Sequence, residues 1–435
     1  MTTDPDLLRR EFLALTANRT LGLTLAGSAA GWFGPAAADA SAPATAATAD
    51  HVIYLYLAGG LSHLESFDPK PDASAHARGQ AGAIATKVDG IQLGALLKKT
   101  ASQADKIALI RSMSSTQGAH EQGNYFAHTA YPQRSGLTHP GVGAWVSKLD
   151  PPDRAHPNLP SNINIHTGNR HPGAGFFGPQ QAPLPIGNAV DGLTHAKRAH
   201  NVTEAAFTRQ LALRATLDQG FNEKFAKAGS SPNAYNQMFE DAVSLMRSND
   251  LTAFDLSQES KATKALYGNS RFGQGALLAR RLVQHGVRFV EVEYGGFDWH
   301  RDNFDQAERQ LPVFDQVYAA LLHDLAQQGL LERTLVVVAT EFGRTPEINS
   351  NRGRDHHPQA YSYALAGGGV RGGQLIGATD RDGSKVVGQK TSPTDINATI
   401  GKALGLPHDL PVFSPSRRPF KMGGRSGQPI AQAFA

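Results

Sequence analysis

The chain contains no cysteine. A disulfide framework, a thiolate zinc site and a cysteine nucleophile are therefore excluded, and any metal must be held by His, Asp, Glu, Asn or hydroxyl oxygens. Runs of five or more Lys/Arg are also missing, and the formal net charge is only +4 with the two signs mixed along the chain. That gives no footprint for a nucleic-acid partner. Charged residues make up only 18% and aromatic residues 8% of the chain. No stretch is apolar for long enough to form a permanent membrane span. GxGxxG and Walker patterns are absent, and Gly367-Gly368-Gly369 reads as a tight turn because it lacks nucleotide-fingerprint spacing. In their place stand 45 Gly, 25 Pro and 17 His in 435 residues, enough length for a large core and enough breakers for many ordered loops.

The N-terminus carries Leu8-Arg9-Arg10-Glu11-Phe12-Leu13, a mildly apolar stretch from Leu21 to Phe33, and Ala38-Asp39-Ala40. A twin arginine, a short Gly-relieved apolar run and a small-x-small site read as a twin-arginine export signal spanning residues 1–40. The expected partner is the twin-arginine translocase, and the expected location is periplasmic or secreted. Residues 41–50 form an Ala/Thr/Pro linker, expected to be disordered.

Residues 51–435 read as one domain. Apolar, β-branched runs at His51–Leu57, Lys106–Arg111, Val287–Tyr294, Leu335–Ala339 and Ala360–Ala366 predict strands. Three- and four-residue periodicity predicts helices over 94–103, 120–130, 142–149, 203–227, 233–247, 271–285, 304–328 and 394–404. The Pro-, Gly-, Asn- and His-rich stretch from Asp150 to Asp191 reads as loops over the sheet edge or the site, part of a loop-rich and helical insertion around 151–270. Alternating strands and helices predict an α/β fold with a mostly parallel central sheet covered by helices on both faces.

Polar residues of ligand type follow several of these strands. Ser62, His63, Glu65 and Asp68 come after the first. His120, Glu121, Asn124 and His128 form a second cluster. Glu293, Asp298, His300, Asp302 and Asn303 form a third, and Glu341, Arg344, Asp355, His356 and His357 a fourth. Open α/β sheets place ligand sites at the carboxyl ends of their strands, so these clusters are expected to meet. Carboxylate with imidazole suits Zn, Mn, Fe or Ca, and Arg344 is suited to an anionic sulfate or phosphate group. Asp68 before Pro69 is also an ordinary turn residue, and Asp302 and Asn303 read better as helix caps. His139, His166, His171, His195 and His200 lie in loops and are expected at the surface or along a substrate channel.

The strings LAGGLSHLESFDPKPD, GGFDWH, TEFGRTP, GRDHHP and AGGGVRGGQLIGATD resemble the exported bacterial proteins grouped as domain of unknown function 1501, over about His51 to Leu404. The resemblance implies an alkaline phosphatase-like, sulfatase-like domain. It also implies a divalent-metal-dependent hydrolase of sulfate or phosphate esters, acting on small-molecule or polysaccharide anionic esters. Transferred by position, Asp298 and His300 resemble an Asp-x-x-x-His ligand pair, here spaced Asp-x-His. Glu341 matches the acidic half of an Asp-His pair whose His position is Phe342. His356 or His357 resembles a lone His ligand. Gly59-Gly60 occupy the turn where the superfamily has its first-strand Asp, leaving His63, Glu65 or Asp68 as substitutes. The nucleophile position, nine residues before Thr129-Ala130, is His120. The nucleophile is then His120, another hydroxyl such as Ser62, or water. A non-catalytic metal- or ligand-binding protein is the other outcome this departure allows.

Overall fold

A computed structural model describes residues 46–150, 158–194, 196, 198–225 and 230–434. The expected export signal, the first half of the linker and His195 lie outside the described residues. Of the expected linker, residues 46–50 are ordered against the domain. Thr48 and Ala49 donate their backbone N–H groups to Ala403 O, and the Thr48 hydroxyl donates to Gly368 O.

Among the described residues, eight strands form the central sheet: β1 His51–Ala58, β2 Ile107–Met113, β3 Asn162–Ile165, β4 Leu184–Ile186, β5 Phe289–Gly295, β6 Thr334–Ala339, β7 Tyr361–Ala366 and β8 Gln374–Ile376. Their order is β8-β2-β7-β6-β1-β5-β3-β4. Only β7 runs antiparallel to its neighbours; every other pairing is parallel. The fold is thus α/β with a mostly parallel sheet. β1 and β6 show why the apolar runs are continuous. Ile53, Leu55, Leu57, Val336 and Val338 pack into one core, and Val52, Tyr54, Tyr56, Leu335 and Val337 into the other. Alternate side chains point to opposite faces, so a strand covered on both faces must be apolar at every position.

The first core is closed by Arg271–Gln284 and Asn303–Gln327, which contribute Leu278, Leu282, Phe314 and Leu321. The second is closed by α1 His120–Thr129, by Val142–Leu149 with Trp145 buried, and by Pro393–Ala403. The last of these starts at a capping box in which Ser392 and Asp395 satisfy each other's backbone N–H groups.

Two expectations need correction. The helix expected over 94–103 shrinks to Lys98–Ala101, preceded by a strand Gln92–Gly94 paired with Ala83–Ala85. Gly94 lies so close to Glu65 that an added Cβ would sit 1.9 Å from its carbonyl oxygen, an approach a helical side chain there would block. The stretch expected to be loop between Asp150 and Asp191 contains β3 and β4, which extend the sheet beyond β5. Pro185 is compatible with β4 because that strand is at the edge.

Among the described residues, no helix is long and apolar enough to cross a membrane.

Candidate metal centre

β1, β5 and β6 are adjacent and parallel, so their carboxyl ends share one rim of the sheet. The turn after β1 needs glycine. Gly59 has φ +114°, and a Cβ there would meet Asp298 N at 2.6 Å. This close approach sets the loop after β5, which carries Asp298 and His300, against the end of β1. α1 begins at His120 on the same rim. A two-residue ladder pairs Gly343–Arg344 with His356–His357 and folds the fourth cluster back over the first. Gly353 permits the last contact: its Cβ would lie 1.9 Å from His300 O.

Asp298 Oδ1 is the meeting point. It lies 3.2 Å from His120 Nε2, 3.0 Å from His300 Nε2, 3.2 Å from His356 Nε2 and 2.6 Å from an Arg344 terminal nitrogen. Each imidazole is held from behind. His120 Nδ1 is 2.7 Å from Glu341 Oε1, His300 Nδ1 is 2.7 Å from Asp355 Oδ1, and His356 Nδ1 is 2.8 Å from Gly118 O. Carboxylates and carbonyls only accept, so all three Nδ1 atoms carry the proton. In the neutral rings, three Nε2 lone pairs then face one carboxylate oxygen, and His300 Nε2 faces His356 Nε2 at 3.0 Å. Such an arrangement needs protons or a cation to hold it together. Metal-bound histidines are anchored through the second ring nitrogen in the same way. His120 Nε2 is buried without a hydrogen-bond partner, and one ligand atom from each of His120, Asp298 and His356 lies within 4.8 Å of the others. The donor set therefore fits a divalent cation.

Electrostatics divide the roles. Burial opposes ionisation of Asp298, but the Arg344 hydrogen bond and charge outweigh it and hold the carboxyl well below its usual range. The hydrogen bond to Glu341 raises His120 against the opposing effect of burial. His356 is pushed down, chiefly by burial. Glu341 is itself buried and saturated. Oε1 accepts from His120 and from Gly59 N–H at 2.9 Å; Oε2 accepts from the Tyr56 hydroxyl at 3.1 Å and lies 3.2 Å from the Thr340 hydroxyl oxygen.

Other expected site residues are placed elsewhere. Arg344 is fully buried and donates to Gly59 O, Gly60 O, Phe297 O and Arg354 O as well as to Asp298. As placed it is covered from solvent and holds Asp298. Ser62 is fully buried, with no hydrogen-bond partner for its hydroxyl. Asp68 is fully buried and takes the Thr379 hydroxyl, Lys70 at 3.0 Å and Arg111 at 3.3 Å. His357 donates to Ser384 O at 2.7 Å, and His63 to Gly383 O at 2.8 Å. Asp68, His357 and His63 brace the loops behind the rim. His139, expected at the surface or along a substrate channel, is buried against Tyr131 and hydrogen-bonded to the Tyr125 hydroxyl. His171 also turns inward, with Nε2 3.3 Å from Glu291 Oε2. Glu291 was not anticipated; its one signal is a second charge two residues before Glu293, inside a strand whose positions to either side of it are apolar.

Histidines whose rings are desolvated by burial make the fold acid-sensitive. Burial pushes His63 down to about 4, and His139 and His166 also to about 4. An imidazole with a depressed value stabilises the fold above its unfolded value near 6.5 and loses that contribution as pH falls through its folded value. His120 and His128 are raised, so their contribution is already complete below pH 6.5 and does not offset the loss. For His63 alone the loss amounts to about 3 kcal/mol by pH 4. Thermal melts from pH 7 to pH 4 should fall steeply below pH 6.5; a flat profile would contradict this burial.

Some solved structures are similar to the chain. The lipoteichoic acid synthase LtaP from Listeria monocytogenes matches at 8% identity and a TM-score of 0.36, over 90% of this chain and 78% of that one. The PsFucS1 sulfatase from Pseudoalteromonas sp. matches at 13% and 0.34, over 83% and 68%. The alkaline phosphatase from the Antarctic bacterium TAB5 matches at 12% and 0.33, over 83% and 99%. No curated protein matches. The family described as "Protein of unknown function (DUF1501)" matches residues 49–434, nearly the whole chain, and the protein belongs to that family.

Proposed function

We propose that the protein is a divalent-metal-dependent hydrolase of sulfate or phosphate esters, exported by the twin-arginine route and acting in the periplasm or outside the cell on small or polysaccharide anionic esters. One observation carries this reading: three imidazoles, each anchored at Nδ1, aim Nε2 at a carboxylate kept ionised by Arg344. His120, Asp298 and His356 would hold the ion. A nitrogen-rich donor set favours Zn, Mn or Fe over Ca. When bound, the ion supplies Lewis-acid polarisation of the ester oxygen.

The chain's own residues do the rest. Glu341 fixes the His120 ring and its protonation. Arg344 holds Asp298 charged. His300 is the most exposed of the three imidazoles and is oriented by Asp355. In this reading it takes a proton from an attacking water and returns it to the leaving oxygen.

A second reading, a metal-binding protein without turnover, is favoured by one specific feature. Among the described residues, no Ser or Thr hydroxyl hydrogen-bonds to Asp298, His120 or His356, and Thr340 is committed to Leu57 O and Leu61 N–H.

Metal analysis of the purified protein, followed by assay on aryl sulfates and phosphate mono- and diesters, separates the two. We expect bound metal and turnover of at least one ester class. Tight metal without turnover supports the binding reading, and metal-free, inactive protein rules out the hydrolase.

A further inference from the structure

We propose a second divalent-cation site, buried beneath the rim and formed by His128, His171 and Glu291. It is separate from the strand-end cluster. His120 and His128 lie eight residues apart on α1, a rise of about 12 Å. Glu291 sits within β5, not at its end. His128 comes from the last turn of α1, and His171 from the segment between β3 and β4.

The ligand atoms converge. His128 Nε2 is 3.2 Å from Glu291 Oε1, His171 Nε2 is 3.3 Å from Glu291 Oε2, and the three ligand atoms lie within 4.8 Å of one another. His128 and Glu291 are each 1% exposed. Burying a carboxylate in the middle of an apolar sheet is costly unless its charge is compensated, yet Glu291 Oε2 meets nothing closer than His171 Nε2 at 3.3 Å. His128 repeats the geometry of the rim. Its Nδ1 donates to Asn124 O at 2.8 Å, so in the neutral ring the Nε2 lone pair faces the carboxylate. Asn124 Oδ1, one turn earlier on the same helix face, is also buried and unpartnered. His171 is the residue that must adjust. Gly173 N–H donates to its Nδ1 at 3.0 Å, so the ring proton sits on Nε2 without an ion. Ligation moves that proton to Nδ1 and gives up the Gly173 contact.

Two imidazoles and a carboxylate suit Zn²⁺, Fe²⁺, Mn²⁺ or Co²⁺. An ion here would tie α1, β5 and the segment between β3 and β4 together. It would also sit under Tyr56, whose ring packs on His128 with centroids 4.5 Å apart and whose hydroxyl donates to Glu341. The site would thereby stiffen the floor on which Glu341 stands.

Co²⁺ titration of the full-length His120→Ala/His356→Ala protein tests the site apart from the rim. The expected result is one equivalent of Co²⁺ with visible d–d absorption. Adding His171→Ala should weaken binding by roughly 10–100-fold or more and bleach the bands. Glu291→Gln, which keeps the side-chain shape, should do the same with an unchanged far-ultraviolet spectrum. If Glu291→Gln fails to fold, the His171→Ala arm decides alone. No Co²⁺ uptake by the His120→Ala/His356→Ala protein overturns the proposal, as does uptake that His171→Ala leaves unchanged. Wild-type stoichiometry keeps the two readings distinguishable: a single equivalent that survives loss of His120 and His356 refutes the rim centre and supports this one.

Discussion

Asp298→Asn is expected to strip the rim of its metal and to lower ester turnover on the order of 10³-fold, since a lost Lewis acid removes several kcal/mol of transition-state stabilisation. The substitution keeps the shape of the side chain and removes the charge. Asp298 Oδ1 is the atom that His120, His300, His356 and Arg344 all address. An amide there has no net charge for a cation, and its NH₂ group would face the imidazole lone pairs or the guanidinium. Glu341→Gln provides the graded comparison. Glu341 reaches His120 from behind, so its loss should weaken metal binding by roughly 10–100-fold without abolishing it. Arg344 keeps its backbone carbonyl acceptors in Asp298→Asn, so the protein should still fold. Elemental analysis and ester assays on both variants, with thermal melts as the folding control, decide the matter. A full metal complement in Asp298→Asn would refute the rim centre.

The strands nearest the rim were readable because a sheet covered on both faces requires apolar residues in succession, as in Leu335–Ala339. β3 and β4 were not. Asn162-Ile163-Asn164-Ile165 and Leu184-Pro185-Ile186 are short, and they sit among enough Gly and Pro to read as loop; only pairing with β5 makes them strands. The rim followed from topology: polar residues just past parallel strands converge, and His120, Asp298, His300, Glu341 and His356 do. Their division of labour was not legible. Whether a carboxylate faces the open rim or stands behind a histidine depends on ring orientation, set by contacts such as Gly118 O to His356 and Asp355 to His300. Arg344 misled because arginine is seldom fully buried, and its role as a clamp on Asp298 depends on Gly59 and Gly60 carbonyls that no spacing rule reveals. Glu65 and Asp68 looked like ligands for the same reason: buried carboxylates that hold arginine or lysine have the same composition as a metal site.

Glu65 carries the largest expected stability effect. Its Oε1 accepts from Arg354 Nε at 3.0 Å and from a terminal nitrogen at 2.8 Å, and Arg354 is fully buried. The remaining Arg354 donors go to Ala77 O, Thr345 O and Pro346 O, which satisfy hydrogen bonds but do not neutralise the charge. Glu65→Ala therefore leaves an uncompensated guanidinium in the interior, a loss of about 3–5 kcal/mol. Urea unfolding followed by tryptophan fluorescence should show it directly. The double variant Glu65→Ala/Arg354→Met separates the charge from the packing. Removing both partners removes the buried charge, so it should be more stable than Glu65→Ala alone. A single variant within 1 kcal/mol of wild type would mean that water reaches Arg354. The consequence extends to the rim, because Arg354 immediately precedes Asp355 and His356. Loosening it frees the short ladder to Gly343–Arg344 that presents His356 to Asp298, and with it Asp355, which holds His300, so Glu65→Ala should also bind metal more weakly than wild type although Glu65 touches no ligand atom.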